Sequence, residues 1–118
     1  MENQLNMLAT EGVLTSDVKL NYDDVKKTYV AKFYLKNTSK IGQNTYKNDF
    51  YIVVYGKKAE ACARHLAIGR KCTVCGKTST WRKTDKNGNA QPGVTVIASE
   101  VYFDSDESVF DENENNRL

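Results

Sequence analysis

The sequence is poor in the residues that most chemistry depends on. It holds one histidine, one proline and one tryptophan among 118 residues. There is no Gly-x-Ser-x-Gly, no glycine-rich loop to cradle a phosphate, and no carboxylate pair set in apolar surroundings. Catalysis is therefore not expected. Three cysteines, Cys62, Cys72 and Cys75, cannot all pair within one chain. A disulfide framework is not expected, and reduced thiols fit an intracellular protein. No run of 18 apolar residues exists, which excludes a membrane-spanning helix. The opening Met1-Glu2-Asn3-Gln4 has neither a basic start nor an apolar stretch, so no secretory signal is expected and the location defaults to the cytoplasm. At this length the chain is one domain, too short for a large α/β enzyme.

What is present is charge, unevenly spread. Residues 104–118 carry Asp104, Asp106, Glu107, Asp111, Glu112 and Glu114 against Arg117, a net −5. The other 103 residues are at +7. A basic body with an acidic tail suggests polyanion binding by the one and interaction by the other; ordinary solubilising charge is the plainer account. In the tail only Val109, Phe110 and Leu118 are apolar, too little to offset the entropy of ordering, so 104–118 is expected to be disordered.

The body reads as strands with one helix. Residues 5–14 make a first strand, with Gly12 marking a bend or bulge. Residues 29–36 alternate: Tyr29, Ala31, Phe33 and Leu35 on one face, Val30, Lys32, Tyr34 and Lys36 on the other. Residues 37–48 are polar and read as a loop. Residues 50–55 alternate again, with Phe50, Ile52 and Val54 opposite Tyr51, Val53 and Tyr55. Over 57–68 the period changes: Ala59, Cys62, Ala63 and Leu66 form a helical stripe, and Gly69 stands where a helix would stop. Strands 72–83 and 94–103 flank a turn at Asp85-Lys86-Asn87-Gly88, with Pro92 placed in the connection. Five strands with a helix between the third and fourth predict an all-β OB-fold, a five-stranded Greek-key barrel, over 1–103.

Aromatic and basic side chains share the faces such a barrel turns outward. Lys32, Tyr34 and Lys36 lie together; so do Tyr51 and Tyr55; so do Lys77, Ser79, Trp81 and Lys83. Rings among cations suit single-stranded nucleic acid, because bases stack on the rings while Lys and Arg track phosphates. The plainer account is that the rings are strand formers at a rim or subunit contact. Cys62-x-x-His65 and Cys72-x-x-Cys75 offer a zinc set. Against zinc, Cys62 lies on the apolar stripe, and residues 72 and 75 point to opposite faces of an extended strand. Packed thiols without metal or cofactor are the expectation.

Taken in order, four segments resemble the bacterial single-stranded DNA-binding proteins (SSB) over residues 5–103. They are Gly12-Val13-Leu14-Thr15-Ser16-Asp17-Val18-Lys19-Leu20-Asn21-Tyr22; Tyr29 to Leu35; Asp49-Phe50 through Tyr55-Gly56-Lys57-Lys58-Ala59-Glu60 to Leu66 and Gly69; and Gly76 to Thr80 with Asp85 to Gly88. Asp17-Val18 stands where the family has Asp-Pro. The resemblance implies an OB-fold that oligomerises, as a dimer or tetramer, and covers single-stranded DNA without strong sequence preference in replication, recombination or repair. It implies stacking by Tyr55. It leaves the second stacking role between Phe50 and Tyr51, which alternation gives to Tyr51. The family often has an aromatic where Lys83 stands; Trp81, on the same face, substitutes. The stacking set is thus Tyr34, Tyr51, Tyr55 and Trp81, and the phosphate set Lys32, Lys36, Lys57, Lys77, Arg82 and Lys83. The family's acidic tail recruits replication and repair enzymes through a closing Ile-Pro-Phe. Asp106, Glu107 and Phe110 approximate it, but eight residues follow Phe110. The short chain resembles versions carried by phages or mobile elements. The alternative reading is an OB-fold or zinc-ribbon module that binds protein or RNA.

Overall fold

The computed structural model describes residues 6–84, 86–88 and 90–104; the side chains of 81–84 and 90–92 lie outside that description, as does the acidic segment 105–118. The elements run β1 (Leu8–Leu14), β2 (Lys19–Asp23), β3 (Thr28–Ile41), β4 (Asn44–Tyr55), α1 (Lys57–His65), β5 (Lys71–Thr84) and β6 (Ala90–Phe103).

These strands close on themselves. β1 pairs with β5 over Leu8–Val13 and then crosses to β3 at Val13–Leu14. β5 pairs with β6, β6 with β4 in parallel, and β4 with β3, which completes the ring. β2 continues β1 along β3: Leu14 stands opposite Leu35 and Lys19 opposite Lys32. Residues 15–18 therefore bulge against only two residues of β3. The two pieces are one broken barrel strand, and the barrel has the five strands and the helix position of an OB-fold.

Closure brings the inward positions into one core. Leu14, Ala31, Phe33, Leu35, Ile52, Val54, Val74 and Val96 are each at most 1% exposed. α1 adds Ala59 and Cys62 to it, and Leu66, just past the helix end, adds a third side chain. The strand crossing needs glycine at Gly12, where a Cβ would stand 2.5 Å from the Lys36 carbonyl oxygen. A second tight approach, of Gly76 to the Ile97 carbonyl, sits at the register shift between β5 and β6.

Three expectations need correction. Residues 37–48 are not a loop but the outer half of the β3–β4 hairpin, paired from Asn37↔Asn48 to Ile41↔Asn44 around a two-residue turn with Gly42 at φ 63°. This arm has no buried face, so it lacks the alternation that marks a half-buried strand. α1 ends at His65, three residues early; Leu66 turns extended and buries its side chain in the core. Gly69, at φ 91°, instead serves the turn into β5, where its N–H donates to the Leu14 carbonyl at 2.9 Å. Pro92 lies within β6 opposite Arg82, not in the connection. β4 joins β6 only from Thr95, so Pro92 removes no donor from the closed part of the barrel. Among the described residues no helix is long and apolar enough to cross a membrane.

Candidate nucleic-acid interface

The register of β2, β3 and β4 builds an outward face row by row. Lys19, Lys32 and Val53 form one row. Tyr34 and Tyr51 form the next, and Lys36 and Asp49 the one beyond. On the other side Val30 stands opposite Tyr55. Directly opposed side chains on one sheet face touch, and the two tyrosines do so, with ring centroids 4.8 Å apart and planes tilted by 46°. Tyr34 is 46% exposed. Tyr51 is half-buried, and that burial, reinforced by Tyr34, raises its hydroxyl above the usual 10.0. The two rings present flat, polarisable surface.

The bulge at 15–18 walls this face on one side. The Ser16 hydroxyl accepts the Tyr34 backbone N–H at 2.9 Å, and Asp17 Oδ1 accepts the Ile68 N–H at 3.0 Å. Between the bulge and the rings lies a cleft of about 210 Å³ lined by Ser16, Asp17, Lys19, Lys32, Phe33, Tyr34 and Tyr51.

Of the expected stacking residues, Tyr34 and Tyr51 are thus brought together. Tyr55 sits four residues along β4, roughly 13 Å from Tyr51, and Lys26 Nζ covers one of its faces at 4.7 Å from the ring centroid. Of the expected phosphate contacts, Lys32 borders the cleft. Lys36 lies on the same face but is engaged by Asp49, Nζ to Oδ1 3.7 Å. Lys57 is exposed on the first turn of α1. Lys77 is exposed on β5 opposite Ile97, two strands from β4. The backbone of β5 carries Trp81, Arg82 and Lys83 opposite Gly93, Pro92 and Gln91; their side chains lie outside the described residues, as do Asp106, Glu107 and Phe110 of the tail.

Two cations were not anticipated. Lys19 belongs to β2, whose residues are all exposed or half-buried, so no apolar rhythm announced a strand there. The signal available was Lys19 and Asn21 alternating with Leu20 and Tyr22. Lys26 reaches Tyr55 because Asp23 Oδ1 accepts the Val25 and Lys26 N–H groups, at 2.9 and 3.1 Å, and folds the β2–β3 turn back.

The sulfur and imidazole groups are dispersed. Cys62 and Cys72 are fully buried, which raises their thiols from 9.0 to about 11 and about 12, Cys72 with smaller contributions from Cys62 and Asp104. Cys75 is half-buried on β5, and His65 is exposed with its ring 5.2 Å from that of Phe103. Among the described residues no three His, Cys, Asp or Glu side chains converge as a metal set.

The fold recurs in solved structures. A small single-stranded DNA-binding protein of Streptomyces coelicolor superposes with TM-score 0.73 at 16% identity, covering 83% of this chain and 93% of that one. The SSB of Plasmodium falciparum, solved with single-stranded DNA, superposes with TM-score 0.74 at 19% identity, covering 89% and 99%. In sequence, single-stranded DNA-binding protein 3 of Clostridium acetobutylicum is 33% identical over 103 residues, 84% of this chain and 70% of the relative. The single-stranded DNA-binding protein of Clostridium tetani is 32% identical over the same shares. The model of the single-strand binding protein family matches residues 5–104. With an OB barrel, an outward ring-and-lysine face and relatives at this identity, the chain belongs to the single-strand binding protein family.

Proposed function

We propose that this chain binds and covers single-stranded DNA through the outer face of β3 and β4, without strong sequence preference and without catalysing a reaction. The observation that carries the site is the Tyr34–Tyr51 ring pair beside Lys19 and Lys32. A ring can stack only on a base that has left its own stack, which selects single strands over duplex; every base has a π-face, so sequence matters little. The lysines add phosphate attraction that is equally blind to sequence. Tyr55, Trp81, Lys36, Lys57, Lys77, Arg82 and Lys83 extend this track in the proposal.

Family membership supports further steps in the same direction. The covered strand is one exposed during replication, recombination or repair. The chain self-associates, and its acidic tail, around Asp106, Glu107 and Phe110, recruits partner proteins. Three free thiols fit a reducing, cytoplasmic setting.

The test is a titration with oligo-dT, poly-U RNA and duplex DNA at two salt concentrations, followed by Trp81 fluorescence and gel shift. Tight, salt-sensitive binding of oligo-dT with weak duplex binding is expected. Tyr34→Ala should lose roughly 1–3 kcal/mol of oligo-dT affinity, with the fold retained because the side chain is half in solvent. Absence of oligo-dT binding at low salt would refute the reading. Equal binding of poly-U would make RNA a substrate too.

A further inference from the structure

Resting on the single-strand reading, we propose that the cleft between the Lys19–Lys32 pair and the Tyr34–Tyr51 rings seats one nucleotide, both ammonium groups sharing its phosphate and the rings receiving its base. The first support is the lysine pair. Lys19 and Lys32 stand directly opposite each other across β2 and β3. Like charges in that position repel. Among the described residues neither has a carboxylate within ion-pair distance, whereas Lys36 and Lys58 each have one. Two cations that stand opposite each other and border one cleft are the arrangement that a single anion relieves.

The second support is spacing. Lys32 and Tyr34 are two residues apart on one strand face, about 6.7 Å, which is of the order of the distance from a nucleotide's phosphate to the middle of its base. The third is the wall. Ser16 and Asp17 are held by hydrogen bonds to the Tyr34 and Ile68 backbone, so the cleft needs no loop rearrangement to exist. Asp17 puts a carboxylate on that wall and disfavours phosphate there, which leaves the lysine side as the anion's place. Tyr55 does not join this seat, because Lys26 already lies over its ring.

The experiment measures oligo-dT affinity across a salt series for the full chain and for Lys19→Gln, Lys32→Gln and the double variant. Releasing one single-strand phosphate contact lowers the log–log salt slope by about 0.7. If the lysines share one phosphate, each single variant leaves the slope nearly intact and the double lowers it by about 0.7. A fall of about 1.4 in the double, built from equal single steps, would mean two phosphates and overturn the proposal. So would no change. Photocrosslinking with oligo-dT bearing one 5-iodouracil reads the base: adducts on Tyr34 or Tyr51, reduced in the double variant, are expected. Adducts confined to other aromatics would overturn the seat. A wild-type chain that does not bind oligo-dT refutes the single-strand reading itself, separately from these outcomes.

Discussion

Residues 31–36 of β3 alternate between two environments with no spacer between them. Ala31, Phe33 and Leu35 are 0%, 1% and 0% exposed, while Tyr34, between the last two, keeps 46% of its surface in solvent. The inward residues are surrounded by Ile52, Val54, Val74, Val96 and the helix, so volume and shape constrain each of them. The outward ones answer to a cross-strand neighbour and to whatever arrives from solution. A small barrel can therefore alter what it binds on the outer face while leaving its stability to the inner one. It also means that the same type of substitution, ring to methyl, should give opposite readouts at adjacent positions.

Phe33→Ala tests this most harshly. It removes a ring from the closed core and should cost about 3–5 kcal/mol of stability, a large part of what a domain of this size has. Urea unfolding followed by far-UV circular dichroism measures it. A loss comparable to that of Tyr34→Ala would collapse the distinction between the two faces.

Alkaline pH separates them in a second way. The thiols of Cys62 and Cys72 are inside, and burial raises them from 9.0 to about 11 and about 12. A thiol that holds its proton more tightly when folded adds nothing adverse below pH 9. Above pH 9 the unfolded chain releases that proton first, so stability falls as pH rises through 9 toward 12. Tyr51, raised above 10.0 on the outer face, acts in the same sense. Melting temperatures at pH 7 to 11 should decline beyond pH 9, and more gently in Cys72→Ala than in the parent chain. Parallel declines in the two proteins would place the alkaline sensitivity elsewhere.

How much of this was legible in the sequence follows from the same contrast. The alternation of Ala31, Phe33 and Leu35, and of Ile52 and Val54, reports an enclosed face and so betrays its strands. In the helical stripe of Ala59, Cys62, Ala63 and Leu66, Ala59 and Cys62 do the same, because both are sealed in the core; Ala63 is half-buried, and Leu66 reaches the core from outside the helix. β2 and the arm at 37–48 have no sealed face, so their strands exist only through pairing with distant residues, which spacing does not encode. Tyr34 and Tyr51 were legible as outward residues. Their contact, the opposition of Lys19 to Lys32, and Lys26 over Tyr55 depended on register and a folded-back turn. The helix end at His65 was set by Leu66 leaving the helix to reach the core, a tertiary demand.

The smallest effect is expected where the outer face already neutralises itself. Lys36 lies in line with Lys32 and Tyr34 but faces Asp49 at 3.7 Å, with both side chains substantially exposed. Such a pair is worth only about 0–1 kcal/mol to the fold, so neither Lys36→Gln nor Asp49→Asn should shift the urea midpoint appreciably. For DNA the two differ in sign. Lys36→Gln removes a cation whose field is partly cancelled, and weakens binding less than loss of the Lys19–Lys32 pair does. Asp49→Asn removes a negative charge near the proposed path of the strand and frees Lys36, so oligo-dT affinity should rise, by less than about fivefold at low salt. The gain should shrink as salt screens the face. If Asp49→Asn instead weakens binding, Asp49 is holding Lys36 in place for the phosphate rather than competing with it, and the outer face is organised by its ion pairs as firmly as the core is by its packing.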